Sequence, residues 1–252
     1  MRRAQVSLFM IIGLVILVIA FFLIYIQSLQ YENLDIIDEE IDVDTKSIEL
    51  FVGECITNVA LEGIYDNSLT GGYFLLPEHS TTELYDNLPY YYDFGNSFLP
   101  SDEILASEVA YYVDVMLDLC LDDFTYFKDQ GYEISFEAPN SNALLDPNKL
   151  TINTNMPITL TSIDKTTQVS NFQVEVDAKQ FYENILVSRE IVETIDKGIC
   201  LTCFSSLATE YDLFVGTIPY NDSIIIDIKD NNYFIDYENY HLTFAVRIGN
   251  EE

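Results

Sequence analysis

The chain of 252 residues has no tryptophan, only two histidines (His79 and His241) and few basic side chains: 11 Lys plus Arg against 42 Asp plus Glu, a formal charge of −31. Each shortage closes off a class of function. After Arg3 only Lys46 precedes Lys128, while acids recur throughout residues 32–123. Such a surface repels phosphate backbones, so nucleic acid is not an expected partner. It also repels anionic lipid headgroups and would hold the folded part away from a bilayer surface. Two isolated histidines supply no H-E-x-x-H zinc motif, and G-x-S-x-G, G-x-G-x-x-G and G-x-x-x-x-G-K-[ST] are missing too. Carboxylates stand side by side along much of the chain, so adjacency selects none of them for proton transfer. Asp38, Glu39, Glu40, Asp42 and Asp44 lack the spacing and the glycine of an EF-hand and read as a solvated acidic run. No catalytic residue, metal or cofactor is expected, and the chain reads as a protein that is not an enzyme.

Apolar and aromatic residues are plentiful. Hydrophobic side chains make up 49% of the chain, with 18 Tyr and 16 Phe, so most of it should fold around a core. Residues 6–26, VSLFMIIGLVILVIAFFLIYI, carry no charge. As a helix they span about 31 Å, matching a hydrocarbon core of about 30 Å. Arg2 and Arg3 precede the run and acids follow it, so the N-terminus should stay cytoplasmic and the rest lie outside the cell. A removable secretory peptide has a shorter apolar core and a small-residue cleavage site, and Tyr25-Ile26-Gln27-Ser28-Leu29 offers no A-x-A. The expected plan is a short basic leader (1–5), a single transmembrane helix (6–27) in contact with membrane lipid, and an acidic stalk (28–45). An extracellular domain follows, mainly helical over 46–130 and sheet-rich over 131–252.

Arg3-Ala4-Gln5-Val6-Ser7-Leu8, running straight into the apolar stretch, resembles the class III signal of archaeal type IV pilin-like proteins. The resemblance covers about the first 25 residues. It implies a peptidase cut between Ala4 and Gln5, with the helix kept as an anchor or as the core of a filament. Phe9 stands where many pilins carry a glutamate, which favours the processing over the filament. The rest of the chain resembles membrane-anchored surface proteins of archaea.

Beyond the stalk the periodicity is first helical. Ile48, Phe51, Val52, Cys55 and Val59 share one helix face, with Asp44 or Thr45 as a cap, Gly63 as a stop, and Gly71-Gly72 as a turn. Residues 73–100 are rich in Tyr, Pro and Gly and lack a clear period. Ser101 caps a second helix whose stripe is Leu105, Val109, Tyr112, Met116 and Cys120. Strands are expected at 132–138, 150–154, 158–163 and 172–176, then a helix at 178–197 capped by Asp177 and stopped by Gly198. Further strands should span 213–218, 224–228, 233–235 and 242–248. The fold class is α+β with an antiparallel sheet.

Four cysteines in an extracellular chain suggest disulfides. Cys55 and Cys120 each lie on the apolar stripe of a helix, so a bridge between them is expected. Two buried free thiols are the alternative. Cys200-Leu201-Thr202-Cys203 reads as a local disulfide, with a redox pair and a four-cysteine zinc site as competing readings. Thioredoxin-like sites place C-x-x-C between a strand and a helix, whereas here a helix precedes it. The aromatic run containing Tyr90, Tyr91, Tyr92 and Phe94 is the candidate binding surface, against the plainer reading of a loop folded on its own core. Asn221-Asp222-Ser223 is both an N-glycosylation sequon and a hairpin turn. The readings of function are a pilin-like subunit or tethered interaction domain, with itself or another surface protein as partner; a membrane-tethered thiol–disulfide oxidoreductase; and an acidic receptor or adhesin that binds a cation or glycan.

Overall fold

Ser101 accepts a hydrogen bond from the Ile104 amide and starts a helix over Asp102–Leu121, with Asp102 and Glu103 in its first turn. This helix, α2, lies against a longer one, α1 (Val43–Leu69). Phe51 meets Phe124 at 5.9 Å between ring centroids. Cys55 is bridged to Cys120 with 5.6 Å between Cα atoms, and Gly63 lies under the ring of Tyr112. The partner numbers fall as those of α1 rise, so the helices are antiparallel. The structure, a computed structural model, describes residues 43–81, 87–163, 165–195, 200–235 and 238–249. The expected leader with its Ala4–Gln5 bond, the transmembrane run and nearly all of the stalk lie outside the described residues. Among the described residues no helix is long and apolar enough to cross a membrane.

Two sheets flank the helix pair. Strands β1 (Tyr90–Asp93) and β2 (Asn96–Ser97) precede α2; β3 (Glu133–Phe136), β4 (Asn140–Leu145), β5 (Lys149–Thr161) and β6 (Thr166–Asp177) follow it. After α3 (Lys179–Ile195) and α4 (Leu201–Glu210) come β7 (Leu213–Tyr220), β8 (Ser223–Ile235) and β9 (Glu238–Arg247). One sheet has the order β2-β1-β9-β8-β7, antiparallel except for the parallel pair β1–β9. In the other, β3 and β4 share one edge of β5, and β6 pairs with its opposite edge. Helix α1 packs on β6 of one sheet and β9 of the other, α2 packs on β4, and α3 on β8 and β9. A single apolar cluster runs through all of them, from Ile48 and Leu117 to Leu150, Ile191 and Phe244. The fold is therefore α+β.

The apolar stripes expected from spacing are inward: Ile48, Val52, Cys55 and Val59 on α1, and Leu105, Val109 and Tyr112 on α2 are buried. Met116 and Cys120 are partly buried against them. The cap expected at Asp177 is present, with its carboxylate accepting from the Lys179 amide at 3.0 Å. Several expectations need correction. Asp44 and Thr45 lie inside α1, which begins at Val43. Gly63 does not stop α1. A Cβ there would come within 2.9 Å of the Tyr112 ring, so glycine lets the two helices approach. The chain turns instead at Gly71 and Gly72, both with positive φ. The separate strands expected at 150–154 and 158–163 are one strand with a register shift between Asn155 and Ile158, where Pro157 removes a ladder donor. Strand β4 and helix α4 were not expected.

The disulfide closes a loop of 65 residues, a constraint on the unfolded chain of about 4 kcal/mol in the chain-entropy model. Cys120→Ser should lower the free energy of unfolding by about 2–5 kcal/mol in denaturant titrations. Gly63→Ala should cost about 1–3 kcal/mol by overpacking against Tyr112, and Tyr112→Leu in the same chain should recover part of that loss.

Candidate functional site

The aromatic run expected on the surface is interior. Tyr90, Tyr91 and Tyr92 are all buried, because β1 lies against β9 and is covered on both sides. Tyr91 stacks on Phe244 at 4.3 Å and donates its hydroxyl proton to the Gly71 carbonyl at 2.8 Å. Burial pushes the Tyr91 pKa upward, so this phenol stays protonated. Tyr90 faces the opposite side, in a small cluster with Leu88, Ile225 and Ala245. The three tyrosines thus belong to a strand folded into the core, while Phe94, the fourth residue of the expected surface, is half-buried.

Around the end of β1 lies a connected group of charged side chains. Asp93 is buried, and Arg247 at the end of β9 grips it with two hydrogen bonds, Nε to Oδ1 at 2.6 Å and a terminal nitrogen to Oδ2 at 2.9 Å. His79 Nε2 lies 2.6 Å from the same Oδ2. The remaining terminal nitrogen of Arg247 reaches Asp222 in the β7–β8 turn at 3.2 Å. The guanidinium packs over the rings of Tyr90 at 4.9 Å and Phe94 at 4.4 Å. Phe94 takes a positive φ of 44° in the turn before Gly95, a costly conformation for a bulky residue, and so places its ring on the cation. The fork from Arg247 is the main cause that lowers the Asp93 pKa, and the same contact raises that of Arg247. Both Asp93 oxygens are engaged, and the Arg247 donors are spread over two carboxylates. The group ties four segments together, with Asp93 buried beneath it and the His79 ring half exposed.

A second carboxylate–histidine contact lies on the same sheet. His241 Nδ1 is 2.9 Å from Asp227 Oδ1, with the Thr243 hydroxyl at 3.4 Å and Lys229 Nζ 3.5 Å from the other oxygen. The hydrogen bonds and charges of His241 and Lys229 hold the Asp227 pKa below the usual value, against desolvation. Among the described residues the contacts of this pair are His241 with Asp227, and Thr243 and Lys229 with Asp227.

The cysteines form two bridges, Cys55–Cys120 and Cys200–Cys203, so none is left as a thiolate for zinc. The first is buried in the helix pair and the second is at the surface. The structure changes the setting of the C-x-x-C. Cys200 caps α4, and the Cys203 amide donates to its sulfur at 3.2 Å. A helix thus follows the motif, while α3 rather than a strand still precedes it, so one half of the thioredoxin-like setting is met and the other is not. Cys203, Glu190, Glu193 and Leu207 share one open cleft. An aromatic cleft of about 450 Å³ lies between the start of α1 and the turns after α2, with Leu50, Phe51, Tyr126 and Tyr132 in its walls. Among the described residues no group of three or more His, Cys, Asp or Glu converges as a metal site. Asn221, the sequon asparagine, is exposed at the two-residue turn that pairs Tyr220 with Ser223.

No protein-family model, curated protein or solved structure matches the chain.

Arg247→Ala would leave the buried Asp93 with His79 as its remaining partner and should cost about 3 kcal/mol of stability, the scale for breaking a buried ion pair. The pH dependence has a definite sign. Asp93 has a folded-state pKa below its ordinary 3.8. Its contribution is therefore complete above about pH 4–5 and is lost as pH falls through the lowered value. Asp93→Asn should flatten the acid limb of melting temperature against pH below about pH 4, with little change in its slope near neutrality.

Proposed function

We propose that the protein is a membrane-anchored, surface-displayed and non-enzymatic chain, a pilin-like subunit or tethered interaction domain. The observation that carries this reading is the uncharged run of residues 6–26 behind Arg2 and Arg3. The Cys55–Cys120 bridge supports it, since disulfides of this kind persist in oxidising compartments. The bulk of the chain then faces the exterior and meets either its own copies or another surface protein. Protease added to intact cells should remove residues beyond 43, and full protection would contradict the placement. Mass spectrometry of the mature chain should find it starting at Gln5. A start at Met1, or past residue 26, would contradict processing at Ala4.

One observation favours a second reading, a membrane-tethered thiol–disulfide oxidoreductase. Cys200 caps a helix and its sulfur accepts a backbone hydrogen bond, both of which favour a thiolate. The carboxylates of Glu190 and Glu193 beside Cys203 oppose it, because like charge disfavours the thiolate. We expect the acids to prevail. In the reduced protein neither thiol should titrate far below the ordinary value of about 8.5. A Cys200 pKa below about 7, with disulfide reductase activity lost in Cys200→Ser, would replace the first reading by the second.

A further inference from the structure

We infer that the outer face of the β3–β6 sheet is a binding face for a neutral, polyhydroxylated polymer, a polysaccharide without carboxylate or sulfate groups. The inner face of this sheet is apolar: Leu150, Ile152, Ile158, Leu160 and Phe172 are buried. The centre of the outer face is built of amides and hydroxyls, with Leu144 exposed beside it. Asn140, Asn155 and Asn171 form one row across three strands, and Asn142, Asn153 and Gln173 form another. Thr159 and Gln168 continue it beyond the bulge.

Two features separate this face from an ordinary solvated one. The first is charge. In a chain with 42 acids and a net charge of −31, the two amide rows Asn140–Asn155–Asn171 and Asn142–Asn153–Gln173 contain no charged side chain. Acids border them on this face. Glu137, whose amide donates to the Pro157 carbonyl, stands next to the Asn140 row, Glu133 lies further along β3, and Glu175 on the other side pairs with Lys149. The second is residue type. Asparagine is among the residues least suited to strands, where β-branched and aromatic side chains pack better. Five asparagines facing outward from consecutive rows contradict local propensity, and such conflicts concentrate where function demands a residue.

The chemistry selects the ligand. A carboxamide presents two donors and one acceptor oxygen, and a sugar hydroxyl is both donor and acceptor. The amides of Asn155 and Asn171 are joined at 2.9 Å and also donate to Ser170. Those of Asn140, Asn142, Asn153 and Gln173 make no side-chain hydrogen bond among the described residues, so they are free for a ligand. Rows about 4.8 Å apart across the strands and about 6.7 Å apart along them form a repeating array, suited to a repeating partner. The rows hold no carboxylate for a cation, and the surrounding negative field repels anionic polymers. They also lack the Tyr, Trp or Arg anchors on which protein interfaces depend. Each contact is weak, so retention on a polymer comes from many copies displayed together. The inference does not depend on how the chain is anchored.

The test uses the full chain in a sugar-free detergent and in liposomes, with soluble α-mannan, β-glucan and galactan as probes and alginate as the charged control. At least one neutral polymer should retard the chain in affinity electrophoresis and co-sediment with the liposomes, and alginate should do neither. Asn153→Asp with Gln173→Glu preserves shape but adds charge. It should weaken binding by about tenfold or more at an unchanged melting temperature. Should the double variant melt early, Asn142→Asp on the edge strand should show the same loss. The inference is overturned if none of the three neutral polymers binds, if alginate binds equally, or if the charged variants bind as well as the parent. It is equally overturned if the face proves to join copies of this chain, seen as self-association that the double variant abolishes.

Discussion

The contact between Cys55 and Cys120 holds together the two helices that every other layer uses as its floor. Helix α1 runs 27 residues, about 40 Å. Its first half packs on β6, where Gly53 lies against Val174. Its second half packs on β9, where Tyr65 meets Tyr240. Strands β4 and β6 of one sheet therefore rest on a helix pair whose far end supports the other sheet. On one side of the bridge Phe51, Phe124, Phe127 and Phe136 pack edge to face. On the other, the absence of a Cβ at Gly63 brings α1 close to α2. Without tryptophan, the core relies on several such phenylalanine and tyrosine contacts rather than on a few large rings.

Peripheral segments are tied in by charge-assisted bonds. Glu108 on α2 accepts from the amides of Phe74 and Leu75 at 2.9 Å each and so fixes the chain after the Gly71-Gly72 turn. Arg189 on α3 reaches Asp102 and the Pro100 carbonyl at the start of α2. Arg247 does the same for β1, β9 and the β7–β8 turn. With 11 Lys plus Arg in the chain, each of these cations carries much of the long-range polar bonding in its region. The remaining carboxylates give the head its negative field, and that field makes the uncharged amide face of the β3–β6 sheet distinctive.

What was legible in the sequence followed periodicity. The stripes through Cys55 and Cys120, the cap at Ser101 and most of the strands carried local signals. What was not legible depended on partners distant in sequence. Strand β1 has no alternation because all four of its residues are buried, Tyr91 toward the main core and Tyr90 toward a second cluster. An aromatic run without a period therefore resembled an exposed loop. Gly63 carried the same letter as a helix stop, and only Tyr112, far along the chain, reveals its role. Asp93 and Arg247 are separated by 154 residues, and no spacing rule could pair them. The amide face was hidden for a different reason. Its asparagines are scattered through three strands, and they form rows only once β4 and β6 are in register on β5.

The account depends on the head folding in an oxidising compartment around an intact Cys55–Cys120 bridge. Trapping thiols with a membrane-permeant alkylating agent at the moment of cell lysis, in denaturant and without reductant, tests this most directly. Mass spectrometry of the full chain should then show no alkylation at Cys55 or Cys120, and alkylation of both only after reduction. Labelling of both cysteines in the unreduced sample would mean that the helix pair is unbridged in the cell, and it would contradict the stabilising constraint and the extracellular placement together.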